Sequence, residues 1–174
     1  MATLRDLASY SVEKHRFGEN VVFVDNLVAD CGGVRFSPEQ TRAESALKQY
    51  EVGDILVGNI RPYLRKIWQA DSPGGASPDV LVIRPGEGVD PGFLYENLAT
   101  DRFFNHMMAN ARGSKMPRGD KASIMDFPIM IPSLTEQQKI AGLLTLLEAR
   151  IEAEEKKVAS LRLEKRAFAQ RLLY

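Results

Sequence analysis

The chain has 174 residues, 44% of them hydrophobic and 26% charged, with 23 Lys and Arg against 23 Asp and Glu. This describes one folded domain with an appendage, and it excludes a global field that would draw the molecule onto a polyanion, so nucleic-acid binding has to come from local clusters. A single cysteine, Cys31, excludes an internal disulfide framework or a zinc cluster and fits a reducing cytoplasm; residues 1–20 lack signal-peptide character, and no apolar run is long enough for a bilayer.

Residues 1–10 form a short helix or turn through Leu4, Leu7 and Ala8. Val21-Val22-Phe23-Val24 reads as a buried strand ended by Asp25-Asn26, and breaks follow at Gly32-Gly33 and Ser37-Pro38. A turn at residues 50–54 leads into a second strand, Ile55-Leu56-Val57-Gly58-Asn59-Ile60. Pro62 makes residues 61–68 an edge or loop segment. Residues 72–76, Ser-Pro-Gly-Gly-Ala, read as a tight turn before a third strand, Val80-Leu81-Val82-Ile83. Residues 93–98 and 103–108 have helical spacing, with Asp101 the expected cap of the second helix. Residues 111–121 lack hydrophobic periodicity and read as a loop, and residues 127–132 as a last strand. Strands dominate the first hundred residues and helices the rest, so the expected class is α+β, with residues 1–132 a mixed-sheet domain and residues 133–174 a long helix.

That helix is marked by its seam. Ile140, Leu144, Leu147, Ile151, Glu154, Val158, Leu161, Lys165, Phe168 and Leu172 recur in alternating steps of four and three, and eight of the ten are apolar. Pro132 and the capping-box pairs Ser133/Glu136 and Thr135/Gln138 mark its start. The rod would be roughly 60 Å long at 1.5 Å per residue. Such a seam calls for a partner helix; the alternative is a helix lying along its own domain. The two polar intruders suggest a register. In an antiparallel pair with its two-fold axis between Ala159 and Ser160, Glu154 of each copy faces Lys165 of the other.

Positive charge is uneven. Residues 1–132 hold 15 basic and 17 acidic side chains, a net of −2, yet Arg61, Arg65 and Lys66 cluster beside Tyr63, and Arg112, Lys115, Arg118 and Lys121 gather around the single acid Asp120. Loops of this kind suit nucleic acid: glycine lets backbone approach phosphate, lysine neutralises it, and arginine bonds guanine edges. The plainer alternative is solvated loop charge. Catalytic sets are poor. His15 and His106 are the only histidines and form no spaced metal set with Cys31, and neither a nucleophile elbow nor a Walker loop is present.

Four segments in order resemble a known family. Residues 53–67 (Gly-Asp-Ile-Leu-Val-Gly-Asn-Ile-Arg-Pro-Tyr-Leu-Arg-Lys-Ile) and 77–85 resemble the central strands of a target-recognition domain from the DNA-specificity subunits of Type I restriction-modification systems. Residues 113–120 resemble a loop of one branch of that domain. Residues 129–141 (Ile-Met-Ile-Pro-Ser-Leu-Thr-Glu-Gln-Gln-Lys-Ile-Ala) resemble its junction into the spacer helix. The resemblance implies recognition without bond chemistry. A full subunit carries two recognition domains on two antiparallel helices and reads a split double-stranded DNA site. Separate modification subunits bind S-adenosylmethionine and methylate, and a restriction subunit, where present, cleaves; Mg2+ and ATP also belong to partner subunits, so no cofactor is expected on this chain. One domain and one helix here imply a half-subunit that pairs with itself. The implied DNA contacts are Lys66, Lys115 and Lys121 on phosphates, and Arg61, Tyr63, Arg65, Arg112, Ser114 and Arg118 on base edges. The remaining alternatives are a non-DNA coiled-coil adaptor and an enzyme with a scattered site.

Overall fold

Two almost wholly apolar strands, buried on both faces, set the architecture, and in the computed structural model they lie side by side. The structure describes residues 1–15, 20–36 and 47–173. In chain order the elements are β1 (Ala2–Thr3), α1 (Leu4–Leu7), β2 (Ala8–Tyr10), β3 (Lys14–His15), β4 (Val21–Val22), β5 (Leu47–Tyr50), β6 (Ile55–Gly58), a 3-10 turn (Pro62–Leu64), β7 (Ile67–Gln69), β8 (Gly74–Ala76), β9 (Val80–Pro85), α2 (Pro91–Leu98), α3 (Asp101–Ala109), α4 (Lys121–Met125), β10 (Pro128–Ile129) and α5 (Leu134–Leu173).

Strands β2-β9-β6-β7 form an antiparallel sheet. A second sheet, β3-β5-β8-β4, is mixed because β4 runs parallel to β8, and β1 pairs with β10. Alternation decides what each side of β6 and β9 meets. Ile55, Val57, Leu81 and Ile83 face a core with Leu94, Phe103, Phe104 and Phe127 from the helical side. Leu56, Val80 and Val82, with Trp68 of β7 beside them, face Val22, Tyr50 and Ala76 of the second layer. Each such side chain contributes about 1.5–3 kcal/mol on burial, so the continuous apolar run is what a strand between two layers requires. The class is therefore α+β with a mixed sheet.

Several expectations need correction. Residues 72–76 are not simply a tight turn: Gly74–Ala76 is strand β8, between β5 and β4. Glycine is required there by space, since a Cβ on Gly74 would come within 2.5 Å of the Tyr50 hydroxyl, which donates to Asn20 O. Residues 1–10 do hold a short helix, but strands flank it. The strand expected over residues 21–24 covers only Val21–Val22, and that expected over 127–132 only Pro128–Ile129. Thr100, not Asp101, caps α3, its hydroxyl accepting from Phe103 N. The expected break at Ser37-Pro38 lies outside the described residues.

The start of α5 follows the capping-box expectation: the Ser133 backbone N–H and hydroxyl both donate to the Glu136 carboxylate, at 3.0 and 2.6 Å. Only the base of the helix is held by the domain, through buried Gln137 and Ala141, half-buried Leu144, and Glu148 beside Tyr95 and Glu96 of α2. Beyond them the helix stands clear. Seam residues Ile140, Leu147, Ile151, Val158, Leu161, Phe168 and Leu172 are between 40% and 82% exposed, so the helix does not lie along its own domain. Among the described residues no helix is long and apolar enough to cross a membrane.

Candidate nucleic-acid interface

Residues 112–118 form a small hairpin. Arg112 N donates to Arg118 O and Arg118 N to Arg112 O, both at 2.9 Å, and Gly113 takes the left-handed conformation (φ 91°) that its tip needs. The hairpin is docked by backbone on the end of β6: Arg61 N donates to Pro117 O at 2.8 Å, Gly119 N to Asn59 O at 3.3 Å, and Ile60 bridges Arg118. Residues more than 50 positions apart in the chain are thus brought together. There Arg61, Tyr63, Arg112, Ser114, Lys115, Met116 and Arg118 are all exposed.

The backbone beneath is unusual. Asp30, Cys31, Arg61 and Arg65 all have φ between 51° and 58°, the left-handed region that costs a non-glycine residue roughly 1–2 kcal/mol. Asp30 N and Cys31 N donate to Leu64 O and Arg65 O at 3.0 and 2.9 Å, tying this strained pair to the end of the 3-10 turn. The strain is concentrated at the two ends of the 3-10 turn and in the loop bonded to it. None of the four is a glycine or asparagine turn signal that could have revealed it.

Not all the expected cations face outward. The Lys66 side chain is 12% exposed and its ammonium donates to Val24 O at 2.8 Å, so it supports the 23–25 loop from within the cleft that Arg61 also lines. Arg65 pairs with Asp101 at 3.0 Å and reaches Ala99 O at 3.5 Å, tying the 3-10 turn to the start of α3. Both placements have one cause: these residues immediately precede β7, where the chain turns into the sheet. Arg118 and Arg112 instead make exposed pairs, with Asp79 at 3.1 Å and Asp120 at 3.5 Å. Exposed pairs of this kind are worth little and are readily exchanged for phosphate. Asp120 also caps α4 by accepting from Ser123 N, which holds its carboxyl below the usual range.

Lys121 is exposed at the start of α4, on the side of the hairpin turned toward β5, where the half-buried Lys48 donates to Pro78 O and Val80 O. Burial, and secondarily Lys121, lowers the Lys48 pKa. Two clefts flank the hairpin. One, of about 480 Å³, lies among Val24, Ile60, Arg61, Pro78 and Asp79; the other, of about 760 Å³, among Asn59, Arg112, Arg118 and Lys121. Met116 borders both. This face carries no catalytic set among its described residues. Among the described residues no group of His, Cys, Asp and Glu could hold a metal ion, and His106 packs on Phe127 with its Nε2 2.7 Å from Ser123 O.

Comparison with known proteins supplies the context. The family described as Type I restriction modification DNA specificity domain matches residues 73–163, just over half of the chain. The specificity subunit of the Escherichia coli Type I restriction enzyme EcoDI is 28% identical over 114 residues, covering 66% of this chain and 25% of that subunit. The HsdS subunit from Thermoanaerobacter tengcongensis superposes with a TM-score of 0.69 at 20% identity, over 87% of this chain and 42% of that one. A chain from a type I R-M system, solved for its complex assembly and conformational transition, gives 0.72 at 23%, over 94% and 44%. These two likenesses concern the fold. The chain spans about a quarter of the curated relative and about two-fifths of the solved chains. With the family match covering more than half the sequence, the chain belongs to the Type I restriction modification DNA specificity domain family.

Proposed function

We propose that residues 1–132 read one half of a split double-stranded DNA site and direct methylation by modification subunits to it. The observation that carries this reading is the hairpin docked on the end of β6, which gathers Arg61, Tyr63, Arg112, Ser114, Lys115 and Arg118 on one exposed face of a specificity-family domain. Lys115 and Lys121 neutralise phosphates. Arg61, Arg112 and Arg118 are the base-edge candidates, with Tyr63 and Ser114 beside them. Arg65 and Lys66 act as scaffold. The chain itself breaks and forms no covalent bonds; methyl transfer and any cleavage belong to partner subunits.

Residues 133–174 serve as the spacer. The exposed apolar seam of α5 pairs antiparallel with a second copy, Glu154 of each facing Lys165 of the other, which places two readers on an inverted, interrupted site. The adaptor alternative leaves the hairpin's exposed cations unexplained. The test is genome-wide mapping of methylated bases in cells with and without this chain. The reading expects one split motif to vanish with the chain, and an unchanged methylation map contradicts it.

A further inference from the structure

Gln137 is the only buried polar residue of α5 among the described residues, at 1% exposure, and every polar atom of its carboxamide is bonded. Its Oε1 accepts from Asp90 N at 2.9 Å, and its Nε2 donates to Pro132 O at 3.0 Å and Gly88 O at 3.3 Å. Asp90 in turn caps α2, accepting from Phe93 N at 2.9 Å. One turn along α5, Ala141 packs against Gly92 of α2, where an added Cβ would lie 3.2 Å from the Ala141 Cβ. These two contacts lie on one face of the helix, and the residues beyond them are almost all exposed. The direction of the whole rod is therefore set at its base, where Gln137 makes the only buried polar contact of α5 among the described residues.

Leverage makes this consequential. At 1.5 Å per residue the rod is about 60 Å long, so a tilt of about 5° at the base moves its far end by roughly 5 Å, more than the 3.4 Å rise of one base pair. A greasy contact alone would tolerate such a tilt, whereas a carboxamide bonded to three fixed backbone atoms is directional. Resting on the reading of α5 as a spacer between two DNA readers, we propose that Gln137 is a positioning residue: it fixes the angle of α5 against the domain and so the number of base pairs between the two half-sites.

The test uses the assembly of this chain with its modification subunits, and competing duplexes that carry the same half-sites at the preferred spacing or one base pair away. Gln137→Met keeps the volume and removes all three bonds. The expected result is a fall of about tenfold in the preference for the cognate spacing, the scale of an unbonded buried polar group. Affinity for a duplex with a single half-site stays unchanged. Gly92→Ala, which wedges α2 from α5, lowers the same preference, and Ala141→Gly in that background restores it; this pair decides the matter if Gln137→Met does not fold. An unchanged preference in the folded variant, or an equal loss at every spacing, overturns the inference. A wild-type assembly indifferent to spacing overturns it too, together with the spacer reading, whereas loss of DNA binding through the hairpin variants alone would strike the reader face and leave the clamp standing.

Discussion

Two stretches of this chain have much the same basic character, residues 61–66 and residues 112–121, and the fold employs them differently. The first lies between two strands of the central sheet. Two of its three cations are drawn into the scaffold, Lys66 onto Val24 O and Arg65 onto Asp101 and Ala99 O, while Arg61 alone points outward. The second closes on itself as a hairpin, satisfies its own backbone, and leaves Arg112, Lys115, Arg118 and Lys121 exposed. A cation beside a buried strand has carbonyls within reach that need donors; a cation on a self-contained hairpin has none. Local density of charge therefore says less about binding than the bonding needs of the backbone next to it.

The largest expected effect breaks the scaffold side of this contrast. Lys66→Ala leaves Val24 O without its donor and removes a packed aliphatic stem, costing about 2 kcal/mol in urea unfolding, while the salt dependence of DNA binding stays as in the wild type. A stability change below about 0.5 kcal/mol, the usual size for a surface site, would return Lys66 to the binding face.

Next is the helix. Glu154→Lys places two lysines in each charged layer of the antiparallel pair and weakens self-association about tenfold or more in sedimentation. Adding Lys165→Glu restores it. A double variant that associates no better than the single one shows that the register is wrong.

The smallest effect lies where α2 meets α5. Burial, with Glu148 close by, raises the Glu96 carboxyl above its usual value. A raised carboxyl favours the folded state below its unfolded pKa, and that contribution is lost as pH rises through the folded value. Glu96→Gln should therefore raise the melting temperature near pH 7 by about 1–2 °C, after discounting for solvent screening, and by less near pH 4. Equal shifts at both values would mean that charge is not the cause.

What could be read from the residues follows the same physics. The long helix is legible because its seam, its capping pair Ser133/Glu136 and Pro132 are all local signals. Strands β6 and β9 are legible because burial on both faces demands an unbroken apolar run. Strand β8 is hidden: Gly74-Gly75 has the composition of a turn, and only the ring of Tyr50 above Gly74 explains why a strand must be built from glycine. Arg61, Tyr63 and the hairpin residues stand out as basic loops, but their meeting on one face depends on Arg61 N bonding Pro117 O, across a sequence gap that no periodicity bridges. The Lys66 bond is hidden for the same reason, since its partner Val24 O lies 42 positions away.

The reader face itself is tested most directly by salt. With the modification subunits present, the slope of log K against log salt should become less negative by about 2 when Lys115 and Lys121 are replaced together by Ala, the change expected for two lost phosphate-facing cations. A folded double variant that keeps the wild-type slope and affinity would show that DNA is held elsewhere on the molecule.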